Sequence, residues 1–177
     1  MLSTLLLIFA VMLVGGIALT AVMHAVLGVV YVPTPRDVAD AMVETAGLRG
    51  NETVYDLGAG DGQILLRAKA NYPGLTAIGC EIVPAIWLLG WIRTRLRQPS
   101  IRFRLRDAMS LDLRDADVLF LYLTPSLLGK FEGKFDRELR SGTTVITHAF
   151  RFPGKAPLRT IEMKRGRRVV HVHVYRW

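Results

Sequence analysis

The sequence predicts an α/β fold: a mostly parallel sheet closed by a C-terminal antiparallel hairpin, with one transmembrane helix in front of it. Three observations lead there. Short β-rich runs alternate with amphipathic runs of helical length between residues 53 and 147, the pattern of successive strand–helix units. Two further β-rich runs face each other across a turn signal at Arg165-Gly166. Ahead of both, residues 5–31 hold only two clearly polar side chains, Thr20 and His24.

At about 1.5 Å per residue, that apolar run is roughly 40 Å long as a helix, more than the ~30 Å of a hydrocarbon core, so it is expected to span a bilayer with a tilt. It lacks the basic start and small-residue cleavage site of a secretory signal. His24 is read as a residue tolerated by helix packing. All 23 Lys and Arg follow the run, beginning at Arg36, which predicts a single-pass membrane protein whose body is cytoplasmic. The expected division is an anchor over 1–32 and a folded domain over 33–177.

Tyr31-Val32-Pro33-Thr34-Pro35 ends the span and opens a helix running to about residue 46, with Thr34 as N-cap, Pro35 at the first helical position and Gly47 as the stop. Strands are expected over 53–57, 76–80, 101–105, 118–122 and 143–147, and helices over 62–72, 84–97 and 126–139. In the tail, 158–177, the runs 161–164 and 169–175 form the hairpin. Alternation puts Val170, Val172 and Val174 on one face and His171, His173 and Tyr175 on the other. Those two histidines lack further ligands, so no metal is expected. The lone Cys80 excludes an internal disulfide or a cysteine-cluster metal site. A net charge of +8 suits anionic headgroups, and no nucleic-acid module is recognisable, so the expected partner is a lipid bilayer and not nucleic acid.

The chemistry concentrates in Asp56-Leu57-Gly58-Ala59-Gly60-Asp61-Gly62, where an apolar strand meets an acid and three alternating glycines at a helix start. Glycine allows a tight turn and a close backbone approach to a ligand, and a helix N-terminus presents free N–H groups. The spacing is G-x-G-x-G rather than the dinucleotide G-x-G-x-x-G, which disfavours NAD and a hydride-transfer enzyme. S-adenosylmethionine fits better, because its ammonium suits Asp56 and its ribose suits a second acid. Glu81 closes the second strand and Asp107 follows the third. Asp107 and the Ala108 backbone N–H are expected at the adenine ring.

With these residues in place, the chain over about 31–177 resembles the class I methyltransferases, whose Rossmann-like sheet ends in an antiparallel hairpin. More narrowly, the apolar anchor, 31–35, 56–62, Leu121-Tyr122-Leu123-Thr124-Pro125 and His148-Ala149-Phe150 resemble the membrane-anchored lysine methyltransferases of the ATP synthase c subunit and their small prokaryotic relatives. The resemblance implies S-adenosylmethionine held by Thr34, Asp56, Gly58, Ala59, Gly60, Gly62, Glu81, Asp107 and Ala108. It also implies that Pro33 and Thr34 help close the cofactor pocket and that 122–125 line its junction with the substrate. No N-P-P-Y or D-P-P-Y follows the fourth strand, which disfavours amide and exocyclic-amine acceptors, and the usual helix before the hairpin is expected to be lost or shortened.

The leading acceptor is a lysine of a membrane protein. A lipid or hydrophobic small molecule is the alternative, and a cofactor-binding module without turnover is another. Taking a lysine from pKa about 10.4 to neutral at pH ~7.4 costs about 4 kcal/mol, and a basic, partly apolar pocket is expected to supply part of it. Tyr122 is the candidate catalytic residue, as an acceptor of a hydrogen bond from the amine or as a ring face for a cation. His148 is a candidate proton acceptor near neutral pH. Trp87, Trp91 and Arg95, at i, i+4 and i+8 of one helix, are expected to touch lipid headgroups.

Overall fold

The computed structural model describes residues 3–7, 10–11, 14–16 and 31–177. Its strands are β1 Thr53–Leu57, β2 Thr76–Glu81, β3 Arg102–Leu105, β4 Val118–Leu121, β5 Thr144–His148, β6 Arg159–Arg165 and β7 Arg168–Arg176. Its helices are α1 Arg36–Thr45, α2 Gln63–Asn71, α3 Pro84–Arg97 and α4 Pro125–Glu138. The strands form one seven-stranded sheet in the order β3-β2-β1-β4-β5-β7-β6. The first five pair in parallel, and β7 pairs antiparallel with both β5 and β6. The chain thus winds outward from β1 to β3 and returns to β4, leaving a crevice beyond the carboxyl ends of β1 and β4.

Strand alternation builds a core on each face of the sheet. Val54, Phe120, Ile146 and Val172 join α1 and α2 on one face, with Ile101 and Phe103 extending that layer under α3. Tyr55, Leu57, Leu119, Leu121, Val145 and Tyr175 meet Leu128, Phe131 and Phe135 of α4 on the other. Burial of β1, β2, β4 and β5 on both faces explains why these four are rich in apolar residues, unlike the edge strands β3 and β6.

Element boundaries between residues 53 and 148 agree with the sequence reading to within one residue. Two details differ. Thr34 is not an N-cap: α1 starts at Arg36, and Pro35 precedes it in an extended conformation without a side-chain cap. The proline disfavours helical dihedrals at Thr34, so the helix begins after it. In the hairpin Arg165 pairs with Arg168, so the turn is Gly166-Arg167, one residue later than expected, with the left-handed position taken by Gly166 at φ +60°. Among the described residues no helix is long and apolar enough to cross a membrane. The anchor expected over 5–31 lies largely outside the described residues.

No helix intervenes between β5 and β6. The connection is instead held by aromatic packing. Phe152 is buried, with ring centroids 5.0 Å from Tyr175, 5.2 Å from Trp177 and 5.9 Å from Phe135. Its N–H donates to the Tyr175 hydroxyl at 3.2 Å, and Lys155 covers the outer face of Trp177.

Candidate functional site

A cleft of about 270 Å³ opens at the carboxyl ends of the central strands. Gly58, Gly60 and Gly62 all have left-handed backbones, with φ of +78°, +55° and +77°. A side chain is strained in that region, which accounts for glycine at each position. The Gly58 and Ala59 N–H groups donate to the Cys80 carbonyl at 3.0 and 2.8 Å, lacing the turn to β2. A Cβ on Gly58 would lie 2.9 Å from Leu123, and one on Gly60 would lie 2.9 Å from the Tyr31 ring. The turn is therefore walled by Leu123 after β4 and by the segment that enters the domain at Tyr31.

Thr34, Asp56, Gly58, Ala59, Gly60, Glu81, Asp107, Ala108 and Tyr122 all line this one cleft, as does Pro33. Gly62 does not. A Cβ there would meet Thr94 at 2.7 Å and Phe103 at 3.4 Å, so Gly62 lets α2 approach α3 and β3 instead of facing a ligand. Spacing alone cannot separate a ligand-facing glycine from a packing one. Of the 122–125 stretch, Tyr122 and Leu123 reach the cleft, whereas Thr124 and Pro125 open α4.

Asp56 is 2 % exposed at the end of β1, and its Oδ2 has no hydrogen-bond partner among the described residues. Burial, and secondarily the Glu81 charge, push its carboxyl up to about 8. A buried acceptor left without a donor is costly. In the lining of an open cleft, such an oxygen suits a cationic donor.

Glu81 is already well used. Its Oε1 accepts from the Ile82 and Val83 N–H groups at 2.8 and 2.9 Å, and its Oε2 accepts from the Gly60 N–H at 3.1 Å. One carboxylate thus shapes the start of α3 and the glycine turn together, with acceptor capacity left over for a hydroxyl. Asp107 accepts from the Met109 N–H at 2.9 Å and caps the short 3₁₀ turn Ala108–Ser110 while lining the cleft.

The amino terminus of α2 does not present its amides for an anionic ligand. Asp61 Oδ1 accepts from the Gln63 N–H at 3.3 Å, and Arg93 of α3 clamps both Asp61 and the Gln63 side chain. Arg93 carries no motif, so only the tertiary structure reveals it.

The cleft is lined by four carboxylates, Asp56, Asp61, Glu81 and Asp107, against two cations, Arg106 and Lys130. This corrects the expectation of a basic pocket: the chain's positive charge lies elsewhere, and like-charge pressure on a substrate lysine is not built into this cleft. His148 also differs from expectation. It is buried and does not line the cleft, and burial, aided by the Arg165 charge, pulls its imidazole down to about 4, so it is neutral and a weak base near neutral pH. Its ring packs against Tyr122 with centroids 3.9 Å apart. Next to it Ala149 has φ +66°, and the Phe150 N–H donates to the His148 carbonyl at 2.8 Å. This tight left-handed turn at a strand end is a strained conformation for alanine.

The cradle, the unpartnered Asp56 oxygen and the acid at each of three neighbouring strand ends fit a cationic ligand bearing a ribose and an adenine. Comparisons with known proteins agree with that geometry. A family model described as the ANTKMT methyltransferase domain matches residues 56–159. A protein-lysine N-methyltransferase of Saccharolobus islandicus is 29 % identical over 149 residues, covering 82 % of this chain and 91 % of its own. The mouse adenine nucleotide translocase lysine N-methyltransferase is 33 % identical over 120 residues, 64 % of this chain and 51 % of its own. An RNA methyltransferase of Salinibacter ruber, solved with S-adenosyl-L-homocysteine, superposes with a TM-score of 0.76 at 33 % identity, covering 82 % of this chain and 93 % of its own. Matched over more than half its length, this chain belongs to the ANTKMT methyltransferase domain family and is a methyltransferase.

Proposed function

We propose that this enzyme transfers a methyl group from S-adenosylmethionine to a lysine side chain of a membrane protein. The observation that carries the reading is the buried, unpartnered Asp56 oxygen beside the left-handed glycine turn. The donor, when bound, supplies a methyl group already activated on a sulfonium. The chain's residues then have to bind, orient and exclude water. Asp56 pairs with the donor's ammonium. Glu81 receives a ribose hydroxyl on its remaining lone pairs and braces Gly60. Asp107 and Ala108 flank the adenine, and Tyr31, Pro33 and Thr34 close the near side. Tyr122 stands between cofactor and acceptor, its ring fixed from behind by neutral His148.

Lysine as acceptor is supported by the two curated relatives, both named as lysine methyltransferases. Attachment to a bilayer by a single pass, with the domain on the cytoplasmic side, is supported by the apolar 5–31 run and the exclusively later basic residues. Leu5, Leu6, Leu7, Val11 and Val14 are also 57–65 % exposed, apolar surface that water does not favour. RNA is a second acceptor to test, because the Salinibacter relative is named for it. Incubating the full chain with radiolabelled S-adenosylmethionine and membranes of a strain lacking it, then identifying the labelled species by mass spectrometry, decides between them. Label in methyl-lysine of a membrane protein is the expected result. Label confined to lipid or RNA would replace the lysine reading.

A further inference from the structure

The outward face of α3 has the wrong polarity for a helix covering a sheet. Such helices bury an apolar stripe and show water a polar one. Here the fully buried residues are Gly90 and Thr94, with Trp87 half-buried against the core, while Leu88, Leu89, Ile92 and Leu96 are 48, 46, 43 and 80 % exposed. Their spacing, i, i+1, i+4 and i+8, forms one continuous stripe, and Trp91, 41 % exposed, flanks it. By contrast α4 exposes Ser126, Lys130, Asp136 and Arg137, the ordinary pattern.

The surroundings of the stripe are uniformly basic. Residues 84–101 contain three arginines and no acidic residue. Arg93 is held by Asp61, but Arg95 and Arg97 on α3 are exposed, whereas Arg102 and Arg104 of β3 alternate with Phe103 and so project from the opposite face of the sheet. An apolar stripe rimmed by arginine with a tryptophan at its margin is the composition of a helix lying in a membrane interface. The long apolar run also ends here. Tyr31 packs over Gly60, and the Gly60 carbonyl touches Gly90 in the middle of α3, where a Cβ would come within 2.6 Å of it. A run that enters a bilayer and ends at Tyr31 brings this helix to the bilayer surface.

We infer that α3 docks in the plane of the membrane interface. Leu88, Leu89, Ile92 and Leu96 sit at the boundary of acyl chains and headgroups, and Arg95 and Arg97 lie on anionic headgroups. Because Ile86 of the same helix lines the cleft, docking turns the cleft mouth toward the membrane surface. This deepens the membrane-attached reading and rests on it. Nucleic acid suits the arginines but gives no role to four exposed aliphatic side chains.

The test uses the full chain in vesicles of phosphatidylcholine with about a third phosphatidylglycerol. Ile92→Cys, Leu96→Cys and, on the opposite sheet face, Arg137→Cys are labelled one at a time with an environment-sensitive dye, the native Cys80 being buried. The expected result is blue-shifted emission at 92 and 96, quenched several-fold more by brominated acyl chains than emission at 137. Protein that floats with the vesicles while aqueous iodide quenches 92 and 96 as strongly as 137 overturns the inference and leaves the anchor standing. Protein that does not float overturns both. A blue shift insensitive to brominated lipid, or a dye response only to single-stranded RNA, assigns the face to a protein or RNA contact and overturns it as well.

Discussion

At the scale of single residues, two groups with oppositely shifted protonation sit a few residues from the chemistry. Asp56 is pushed up to about 8 chiefly by burial, so in the free protein much of it is protonated near neutral pH. Pairing with an ammonium requires the carboxylate, so donor affinity should rise with pH and level off above about 8. Asp56→Asn should weaken binding by about 10- to 100-fold, the worth of a hydrogen bond to a charged group, and abolish that slope. Calorimetry of S-adenosylmethionine binding at several pH values reads both effects, and a parallel pH slope in the variant would remove Asp56 from the site. Ala149 yields a second prediction. Its left-handed backbone costs about 1–2 kcal/mol for a non-glycine residue, so Ala149→Gly should stabilise the fold by about 1 kcal/mol in urea denaturation. The gain should come with slower methyl transfer if the strained turn holds His148 against Tyr122.

At the scale of elements, what could be read from sequence was what lies close together in it. Alternating glycines after a strand, acids at strand ends and a glycine in a hairpin turn are local patterns, and they located the sheet and the cleft residues Asp56, Gly58, Gly60, Glu81 and Asp107, whereas Thr34 and Tyr122 were placed there by the family resemblance. What was missed is long-range. Glu81 reaches across 21 positions to the Gly60 N–H, and Arg93 reaches 32 positions back to Asp61; neither distance leaves a trace in spacing. The β5–β6 connection shows the same limit. A shortened helix was foreseeable, but its replacement by Phe152, Phe135, Tyr175 and Trp177 was not. Phe152→Ala should cost about 3–5 kcal/mol, the usual penalty for emptying a large buried aromatic site. A shift in urea midpoint well below that would mean that the connection relies on its backbone bonds. Because Glu81 joins two loops, Glu81→Ala should lower stability and donor affinity together, whereas Asp56→Asn should lower affinity with no loss of stability at neutral pH.

At the scale of the whole molecule, the two shifted groups shape stability against pH. His148 is depressed from 6.5 to about 4, so its contribution is present above 6.5 and is lost as pH falls toward 4. Asp56 is raised from 3.8 to about 8, so its contribution is present below 3.8 and is lost as pH rises toward 8. From about pH 4 to about 6.5 the slopes oppose each other, and from about 6.5 to about 8 only the Asp56 loss remains. These groups therefore predict a nearly flat profile followed by a decline toward mildly alkaline pH in the free protein. Asp56→Asn should convert the flat region into a rise and remove the decline. Urea midpoints across that range check it, and an unaltered decline in the variant would assign it to other groups.

Tyr31, Val32, Pro33 and Thr34 form one side of the cleft and are also the stretch that joins the domain to its apolar segment. The two parts therefore share a wall instead of meeting at a seam. A domain cut free at residue 33 would keep its sheet but lose the ring over Gly60, so its cleft would stand open to water on that side. A tilt or pull on the segment would reach the same place. Removing residues 1–32 should therefore weaken donor binding, which calorimetry on the shortened chain would read as a raised Kd.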